Sequence, residues 1–135
     1  MNGKNALIFG AGNIGRGFLG LELHRNDYNL TFAENNQDFI DFLNQRQGYD
    51  VEIAETGERT LVPIKRVISV YDLQAINRAV EDATIVTTAV GPNHLNDVSK
   101  SLQQALMIRA KNENFINIIA CENMAKPEIR RAVDQ

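Results

Sequence analysis

Short apolar runs alternate along the chain with segments whose apolar residues recur at helical spacing. Continuous apolar runs are typical of strands that are covered on both faces. They span residues 6–9, 30–33, 67–70, 83–90 and 115–120. Helical spacing covers about residues 14–25, 36–47, 72–80 and 93–106, and a last helix is predicted to begin near Pro127. Because strands and helices alternate, the pattern predicts one doubly wound parallel α/β sheet with right-handed crossovers.

The helical segments carry local signals for their ends and their buried faces. Asn35 or Asn36 is placed to cap the second helix, which should end near residues 47–48, and Asp72 is placed to cap the third. The spacing predicts two buried faces, which comprise Ile14, Phe18 and Leu21 in the first helix and Phe39, Phe42 and Leu43 in the second.

Between residues 49 and 70 the apolar period changes to alternation. Tyr49, Val51 and Ile53 alternate with polar residues, a polar turn follows, and a second strand-like run covers residues 60–64. Pro63 cannot donate a ladder hydrogen bond, so it favours an edge or bulge position. The segment is therefore predicted to be a small β-hairpin insertion outside the central sheet.

Three glycines follow the first apolar run at the spacing G-x-G-x-x-G. Gly10 is predicted to permit a tight strand-to-helix turn, Gly12 to let a pyrophosphate touch the backbone, and Gly15 to let helix and strand pack closely. Glu34 ends the second strand, at about the 20-residue interval at which a carboxylate meets the adenosine ribose. Together these residues predict a Rossmann fold that binds NAD. A carboxylate accepts hydrogen bonds from a ribose 2′-hydroxyl, whereas it repels the 2′-phosphate of NADP.

Arg16 lies in the first turn of the predicted helix, where the helix dipole disfavours a cation. A bound phosphate would offset this effect. The sequence leaves two alternatives open, namely contact with a phosphate and a merely solvated side chain.

Composition limits the other classes of function. The chain has 135 residues, a formal net charge of -3 and no run of Lys or Arg, so neither nucleic acid nor an anionic membrane is a predicted partner. No apolar stretch approaches membrane-spanning length, and the N-terminus lacks the pattern of a signal peptide. The single Cys121 cannot form an internal disulfide, which fits a reducing, cytoplasmic setting. No metal-ligand spacing of His, Cys or carboxylates is present.

In a doubly wound sheet, ligands bind beyond the carboxyl ends of the strands, where the strand order reverses. Three loops are predicted to meet there, namely the glycine loop, residues 90–93 and residues 121–123. The last two of these loops are expected to border the nicotinamide. Gly91 and Pro92 are equally consistent with a simple break between the strand and the following helix. His94 and Cys121 are not favoured as catalytic groups. A lone His near a helix start is usually a surface residue, and Cys121 follows an apolar strand without an adjacent His.

Four segments, in this order, resemble the polyol-specific long-chain dehydrogenases. They are residues 9–18, 30–33, 87–92 and 117–124, and the hairpin sequence 49–51 extends the likeness over nearly the whole chain. The resemblance implies NAD-dependent, reversible interconversion of D-mannitol 1-phosphate and D-fructose 6-phosphate without a metal. It also implies a mostly helical second domain, outside this chain, that contributes the catalytic lysine and most of the sugar-phosphate pocket. Residues 1–135 would then be an NAD-binding domain that is inactive by itself.

The resemblance assigns roles to the residues that match the family's motifs. The coenzyme-binding residues that it implies are Gly10, Ala11, Gly12, Asn13, Ile14, Gly15, Arg16, Gly17, Glu34, Val90, Gly91 and Pro92. Relatives commonly carry Asp at position 34, so the longer Glu keeps the charge with an altered geometry. Asn123 resembles the family asparagine that hydrogen-bonds the reacting oxygen and stabilises the developing alkoxide.

Two alternative functions stay open from the sequence. The chain is also consistent with the coenzyme domain of a related hexuronate reductase, because the residues that select the substrate in this family lie outside it. A non-catalytic NAD-sensing regulatory domain is favoured by the short length and disfavoured by residues 87–92 and 120–124. The surface that normally meets the second domain is expected to promote self-association.

Overall fold

A computed structural model describes residues 4–12, 15–90, 95–110 and 117–120. The strands are β1 (Lys4–Phe9), β2 (Tyr28–Glu34), β3 (Gly48–Glu52), β4 (Arg59–Pro63), β5 (Arg66–Ser69), β6 (Ile85–Thr88) and β7 (Asn117–Ala120). The α-helices are α1 (Leu21–Arg25), α2 (Gln37–Arg46), α3 (Leu73–Asp82) and α4 (Leu95–Ala110), and a π-helical segment (Gly15–Gly20) leads directly into α1.

Within the described ranges, five strands form a parallel sheet in the order β5–β2–β1–β6–β7. β1 pairs with β2 from Lys4 opposite Tyr28 to Phe9 opposite Ala33, and it pairs with β6 up to Phe9 opposite Thr88. The direction of strand order therefore reverses beside β1, and the loops after β1 and β6 open at the same edge. The predicted doubly wound α/β architecture is confirmed, and the reversal creates the crevice in which such sheets bind ligands.

Alternate residues of β1 supply two apolar cores, one on each face of the sheet. Ala6 and Ile8 pack with residues of α1, α2 and the β3–β4 hairpin, whereas Leu7 and Phe9 pack with residues of α3 and α4. All four side chains are at most 1% exposed. A strand that is buried on both faces has no polar alternation, which explains the continuous apolar run in the sequence.

The first helix differs from the regular helix predicted for this segment. It begins with the π-helical segment and becomes α-helical at Leu21. Because a π-helical turn closes with i→i+5 hydrogen bonds, it changes which residues share a face. Phe18 is consequently 60% exposed while Leu19 and Leu21 are buried, so the predicted burial of Phe18 is wrong. Ile14 lies outside the described residues.

The second helix, α2, has the predicted ends but a different buried face. The Asn36 side chain caps it by accepting a backbone hydrogen bond at 3.1 Å, and Gln47 ends it in the left-handed conformation with φ 59°. Ile40 and Leu43 are buried, whereas Phe42 is 50% exposed. Residues two apart do not share a helix face, so Phe42 cannot point into the core with Ile40. The predicted burial of Phe42 is wrong for this reason.

The hairpin lies outside the central sheet, as predicted. β3 and β4 form their own two-stranded antiparallel sheet, in which Gly48 pairs with Pro63 at the end of the ladder. Tyr49 and Val62 are buried in the same core as the first helix. The hairpin therefore packs its inner face against the segment that follows the glycine loop.

The second half of the sheet largely follows the prediction. The Asp72 side chain caps α3 by accepting a backbone hydrogen bond at 3.1 Å. β6 is shorter than the predicted strand over residues 83–90. It begins later because the Ala83 N–H still closes the end of α3 on the Ala79 carbonyl, and it ends at Thr88. β6 lies between β1 and β7, which confirms its predicted place inside the sheet. The helix predicted from Pro127 lies outside the described residues.

Candidate functional site

A cavity of about 490 Å³ opens at the carboxyl edge of the central sheet. Its lining comes from the ends of four strands, namely Gly10 and Gly12 after β1, Ala33, Glu34 and Asn35 at the end of β2, Val70 and Tyr71 after β5, and Ala89 and Val90 after β6. Val98, Lys100 and Ser101 of α4 complete the described wall. The cavity lies where the strand order reverses, and its volume is typical of a site for a small molecule or coenzyme.

The glycine loop packs against its surroundings through bare backbone. Gly10 has φ 101°, and a Cβ there would collide with the carbonyl oxygen of Ala89. A Cβ on Gly15 would collide with the carbonyl oxygen of Gly10. A Cβ on Gly12, in contrast, would meet no atom of the described residues within 4 Å. Gly10 and Gly15 therefore have the conformational roles that their spacing predicts, and the open space at Gly12 fits a pyrophosphate group.

The Glu34 carboxylate joins the end of β2 to the glycine loop. One carboxylate oxygen accepts a hydrogen bond from the Ala11 N–H at 3.2 Å. The other accepts from the N–H groups of Asn35 at 2.7 Å and Asn36 at 3.1 Å. A carboxylate has about four acceptor positions, so three bonds fix its orientation and leave capacity for a further donor such as a ribose hydroxyl.

Arg16 is anchored to the glycine loop. Its backbone N–H donates to the Gly12 carbonyl at 2.9 Å, and its Nε donates to the Ala11 carbonyl at 2.8 Å. The guanidinium lies 5.1 Å from the centroid of the Phe39 ring and 5.9 Å from that of Tyr49, within the range of cation–π attraction. Arg16 is half-buried, and its side chain is held by the loop and by the two rings. Contact with a phosphate stays a prediction.

Tyr49 reaches the same region from the hairpin. Its hydroxyl donates to the Arg16 carbonyl at 2.6 Å, and a Cβ on Gly20 would collide with that hydroxyl. The ring packs edge-on against Phe32, with the centroids 6.1 Å apart. Burial raises the pKa of the Tyr49 hydroxyl above its ordinary value of 10.0, and the nearby charge of Arg16 offsets part of this rise. The hydroxyl therefore remains a hydrogen-bond donor through neutral and mildly alkaline pH.

The structure brings together part of the predicted site. Four of the predicted coenzyme-binding residues line the cavity, namely Gly10, Gly12, Glu34 and Val90. Ala11, Gly15 and Arg16 form the loop behind its wall, and Gly17 is exposed without lining the cavity. The other residues singled out in the sequence all lie outside the described residues. They are Asn13, Ile14, Gly91, Pro92, His94, Cys121, Glu122 and Asn123.

Sequence reasoning missed several groups around the cavity. Val70 and Tyr71 could have been found, because they follow a predicted parallel strand and all such strand ends meet at one edge. Lys100 and Ser101 carry no such signal, because their place in the wall depends on how α4 packs. Sequence reasoning also missed the role of Tyr49. Alternation of apolar and polar residues indicates which face of a strand is buried, but it does not indicate which helix atom a buried side chain will contact.

The cavity wall includes the glycine loop and residues with polar side chains, among them Glu34, Lys100 and Ser101. Among the described residues, no group of three or more His, Cys, Asp or Glu side chains could hold a metal ion. None of the helices in the described ranges combines the length and the apolar character needed to cross a membrane.

These features define a class of protein. A parallel sheet with its reversal beside β1, a glycine turn after β1 and a carboxylate at the end of β2 are the parts of a Rossmann domain of the dinucleotide-binding kind. A family model described as the mannitol dehydrogenase Rossmann domain matches residues 4–130, and the chain belongs to this family. The membership expected from the sequence segments is confirmed, and a dehydrogenase domain of this fold implies a nicotinamide coenzyme.

The chain is similar to mannitol-1-phosphate 5-dehydrogenases of several bacteria. It is 44% identical to that of Bacillus velezensis over 121 residues, which are 88% of this chain and 32% of the relative. It is 42% identical to that of Bacillus subtilis over 121 residues, again 88% of this chain and 32% of the relative. For Streptococcus mutans the identity is 40% over 125 residues, 90% of this chain and 33% of the relative. The chain thus spans about 32% of the length of the first two of these relatives.

A solved structure shows the same fold. The apo form of saccharopine dehydrogenase (L-Glu forming) from Saccharomyces cerevisiae matches with a TM-score of 0.50 and 19% sequence identity. The match covers 96% of this chain and 24% of that chain. The Rossmann architecture derived from the strand order is therefore shared with an enzyme of low sequence similarity.

Proposed function

We propose that this chain binds NAD(H) in the cavity at the carboxyl edge of the sheet, as the coenzyme domain of an enzyme that interconverts D-mannitol 1-phosphate and D-fructose 6-phosphate. The observation that carries the coenzyme assignment is the Glu34 carboxylate, which lines the same cavity as the open backbone of Gly12 and is bonded to the Ala11 N–H. The substrate assignment rests on the similarity to the bacterial mannitol-1-phosphate 5-dehydrogenases.

Glu34 favours NAD over NADP for an electrostatic reason. Its carboxylate is fixed by three backbone N–H groups, so it cannot turn away from a ligand. A ribose 2′-hydroxyl can donate to it, whereas a 2′-phosphate would place a second anion beside it, at a cost of several kcal/mol. Lys100 also lines the cavity, but its exposed and flexible side chain is a weaker determinant than the fixed carboxylate.

The chain's own residues would hold the two ends of the coenzyme and the reacting oxygen. The open backbone at Gly12 and the start of the first helix would bind the pyrophosphate, and Glu34 the adenosine ribose. Val90, with Gly91 and Pro92 after β6, would border the nicotinamide, which supplies or accepts the hydride when bound. Asn123, after β7, would hydrogen-bond the reacting oxygen and stabilise its developing negative charge.

A second domain outside residues 1–135 is part of the proposal. It would supply the catalytic lysine and most of the sugar-phosphate pocket, as the sequence resemblance implies. This chain is therefore expected to bind coenzyme without turning over substrate. Joining it to the portion of the Bacillus subtilis relative that follows the matched 121 residues should create an enzyme that oxidises mannitol 1-phosphate. Because the relative's portion would select the substrate, this chimera tests the role of the present chain as the coenzyme domain, and a chimera that folds but oxidises no mannitol 1-phosphate would contradict that role.

Coenzyme choice is tested by titration calorimetry of the chain with NADH and NADPH. We expect NADH to bind at least about tenfold more tightly than NADPH. Glu34→Ala should weaken NADH binding and narrow the difference between the two coenzymes. Glu22→Ala, which removes an exposed carboxylate on α1 paired with Arg25, is the matched control and should change neither affinity. Equal affinity of the unmodified chain for NADH and NADPH would refute the role of Glu34.

A further inference from the structure

We propose that the β3–β4 hairpin positions the phosphate-binding loop, with the Tyr49 hydroxyl as the positioning group. This inference rests on the coenzyme site proposed above and extends it, because it gives a segment outside the central sheet a part in setting coenzyme affinity. The hairpin does not line the cavity in the described residues, so its influence must pass through the loop.

A short chain of hydrogen bonds joins the hairpin to the loop. The Tyr49 hydroxyl donates to the Arg16 carbonyl at 2.6 Å. Arg16 in turn donates its backbone N–H to the Gly12 carbonyl and its Nε to the Ala11 carbonyl. The guanidinium also lies over the rings of Tyr49 and Phe39, so the hairpin and α2 both hold it. One residue therefore separates the Tyr49 hydroxyl from the two loop carbonyls.

The start of the helix is shaped to admit the Tyr49 hydroxyl. In a regular α-helix the Arg16 carbonyl would accept from the N–H of residue 20, but this segment is π-helical, and its wider turn leaves room for another donor. Gly20 has no side chain, and a Cβ there would collide with the hydroxyl. Tyr49 is 6% exposed and its ring packs against Phe32, so the hydroxyl has little freedom to leave the carbonyl.

The hydrogen bonds that hold the two loop carbonyls on Arg16 matter for the binding of an anion. Carbonyl oxygens repel phosphate oxygens, whereas backbone N–H groups attract them. Arg16 engages the Ala11 and Gly12 carbonyls. In our proposal these hydrogen bonds keep both carbonyls from turning toward the phosphate position beside Gly12. Loss of the Tyr49 bond should loosen this arrangement. The result is weaker binding of pyrophosphate-containing ligands, with little change for a ligand that lacks phosphate.

The test compares three ligands on the unmodified chain and on Tyr49→Phe. NADH and ADP-ribose contain the pyrophosphate, and adenosine contains the ribose and base alone. We expect Tyr49→Phe to weaken NADH and ADP-ribose binding by about fivefold, the loss typical of one hydrogen bond, and to leave adenosine binding within twofold. Calorimetry measures the first two ligands, and an NMR titration measures the weaker adenosine. A merely structural role would weaken all three ligands by similar factors.

Tyr28→Phe is the matched control. Tyr28 begins β2 at the end of the sheet opposite the cavity, where the Lys4 ammonium lies 4.7 Å from its ring centroid. Removing its hydroxyl should change none of the three affinities.

A double-mutant cycle with Gly20 tests the contact itself. Gly20→Ala forces the new Cβ against the Tyr49 hydroxyl and should also weaken NADH binding selectively. In the Tyr49→Phe background that collision is gone, and the nearest remaining neighbours are the Gly15 carbonyl oxygen at 3.1 Å and the Phe32 ring at 3.2 Å. Gly20→Ala should therefore cost less affinity there than in the unmodified chain. If Tyr49→Phe does not fold, Gly20→Ala alone is measured with the three ligands.

The outcomes separate this inference from the proposed function. If the unmodified chain does not bind NADH, the coenzyme site itself is refuted. If it binds NADH and Tyr49→Phe binds all three ligands as tightly, the hairpin has no positioning role. Equal losses for adenosine and NADH would also overturn the inference.

Discussion

Replacing Gly12 by valine is expected to abolish coenzyme binding while leaving the fold intact. Gly12 is exposed at the cavity, and a Cβ there would meet no atom within 4 Å in the part of the chain that the structure describes. Its backbone is outside the left-handed region, in contrast to Gly10. The protein without ligand can therefore accept the valine side chain, whose methyl groups would fill the space proposed for the pyrophosphate.

The expected effects on stability and on binding differ in size. An exposed substitution without strain changes the free energy of unfolding by about 0.5 kcal/mol or less. Forcing the pyrophosphate against the valine costs about 1–3 kcal/mol in overpacking. If the phosphates shift instead, each lost hydrogen bond to a charged group costs about 1.5–3 kcal/mol. A combined loss of about 3 kcal/mol corresponds to a more than hundredfold weaker affinity for NADH.

The assay pairs NADH titration with urea unfolding followed by circular dichroism. Gly10→Ala is the contrasting variant, because φ 101° and the collision with the Ala89 carbonyl should lower the free energy of unfolding by at least about 2 kcal/mol. Gly12→Val should instead unfold at nearly the same urea concentration as the unmodified chain. Unchanged NADH affinity in Gly12→Val would refute the phosphate site at this backbone.

Two further predictions concern stability. Arg109 is 5% exposed and donates to three carbonyls at the end of α3, so Arg109→Met should lower the free energy of unfolding by about 3 kcal/mol in urea denaturation. Arg78→Met, at an exposed position on α3, is the control and should lower the free energy of unfolding by about 0.5 kcal/mol or less. Equal losses in the two variants would refute the role of Arg109 in stabilising the end of α3. Because the folded pKa of Tyr49 is raised above the ordinary value of 10.0, its contribution to stability is fully present below pH 10.0 and is lost as the pH rises through the folded pKa. Urea unfolding above pH 10.0 should thus show a steeper loss of stability for the unmodified chain than for Tyr49→Phe, and parallel pH profiles would contradict this.

Local signals were sufficient for most of the fold. The continuous apolar run of β1 predicted a strand buried on both faces, and its two cores explain why no polar alternation is present. The capping residues Asn36 and Asp72 were recognisable because a cap bonds to a backbone group three residues away. Pro63 likewise indicated that the hairpin lies outside the central sheet. In each case the physical cause lies within a few residues of the signal.

The burial of Phe18 and Phe42 was predicted wrongly, because a helical period describes the average geometry of a segment and not local departures from it. The π-helical turn changes the face of Phe18, and Phe42 lies two residues from the buried Ile40, on another side of α2. Both rings are large and apolar, which made them plausible core residues by type. Their exposure depends on how neighbouring elements pack.

The sequence by itself determined the strand and helix order, the glycine turn and the acidic end of β2, since these follow from apolar period, backbone freedom and spacing. The tertiary structure decided how these parts are held together. It brought the Glu34 carboxylate to the Ala11 N–H across 23 positions and the Tyr49 hydroxyl to the Arg16 carbonyl across 33. Contacts over such separations depend on the packing of whole elements, and no local pattern encodes which atoms will meet.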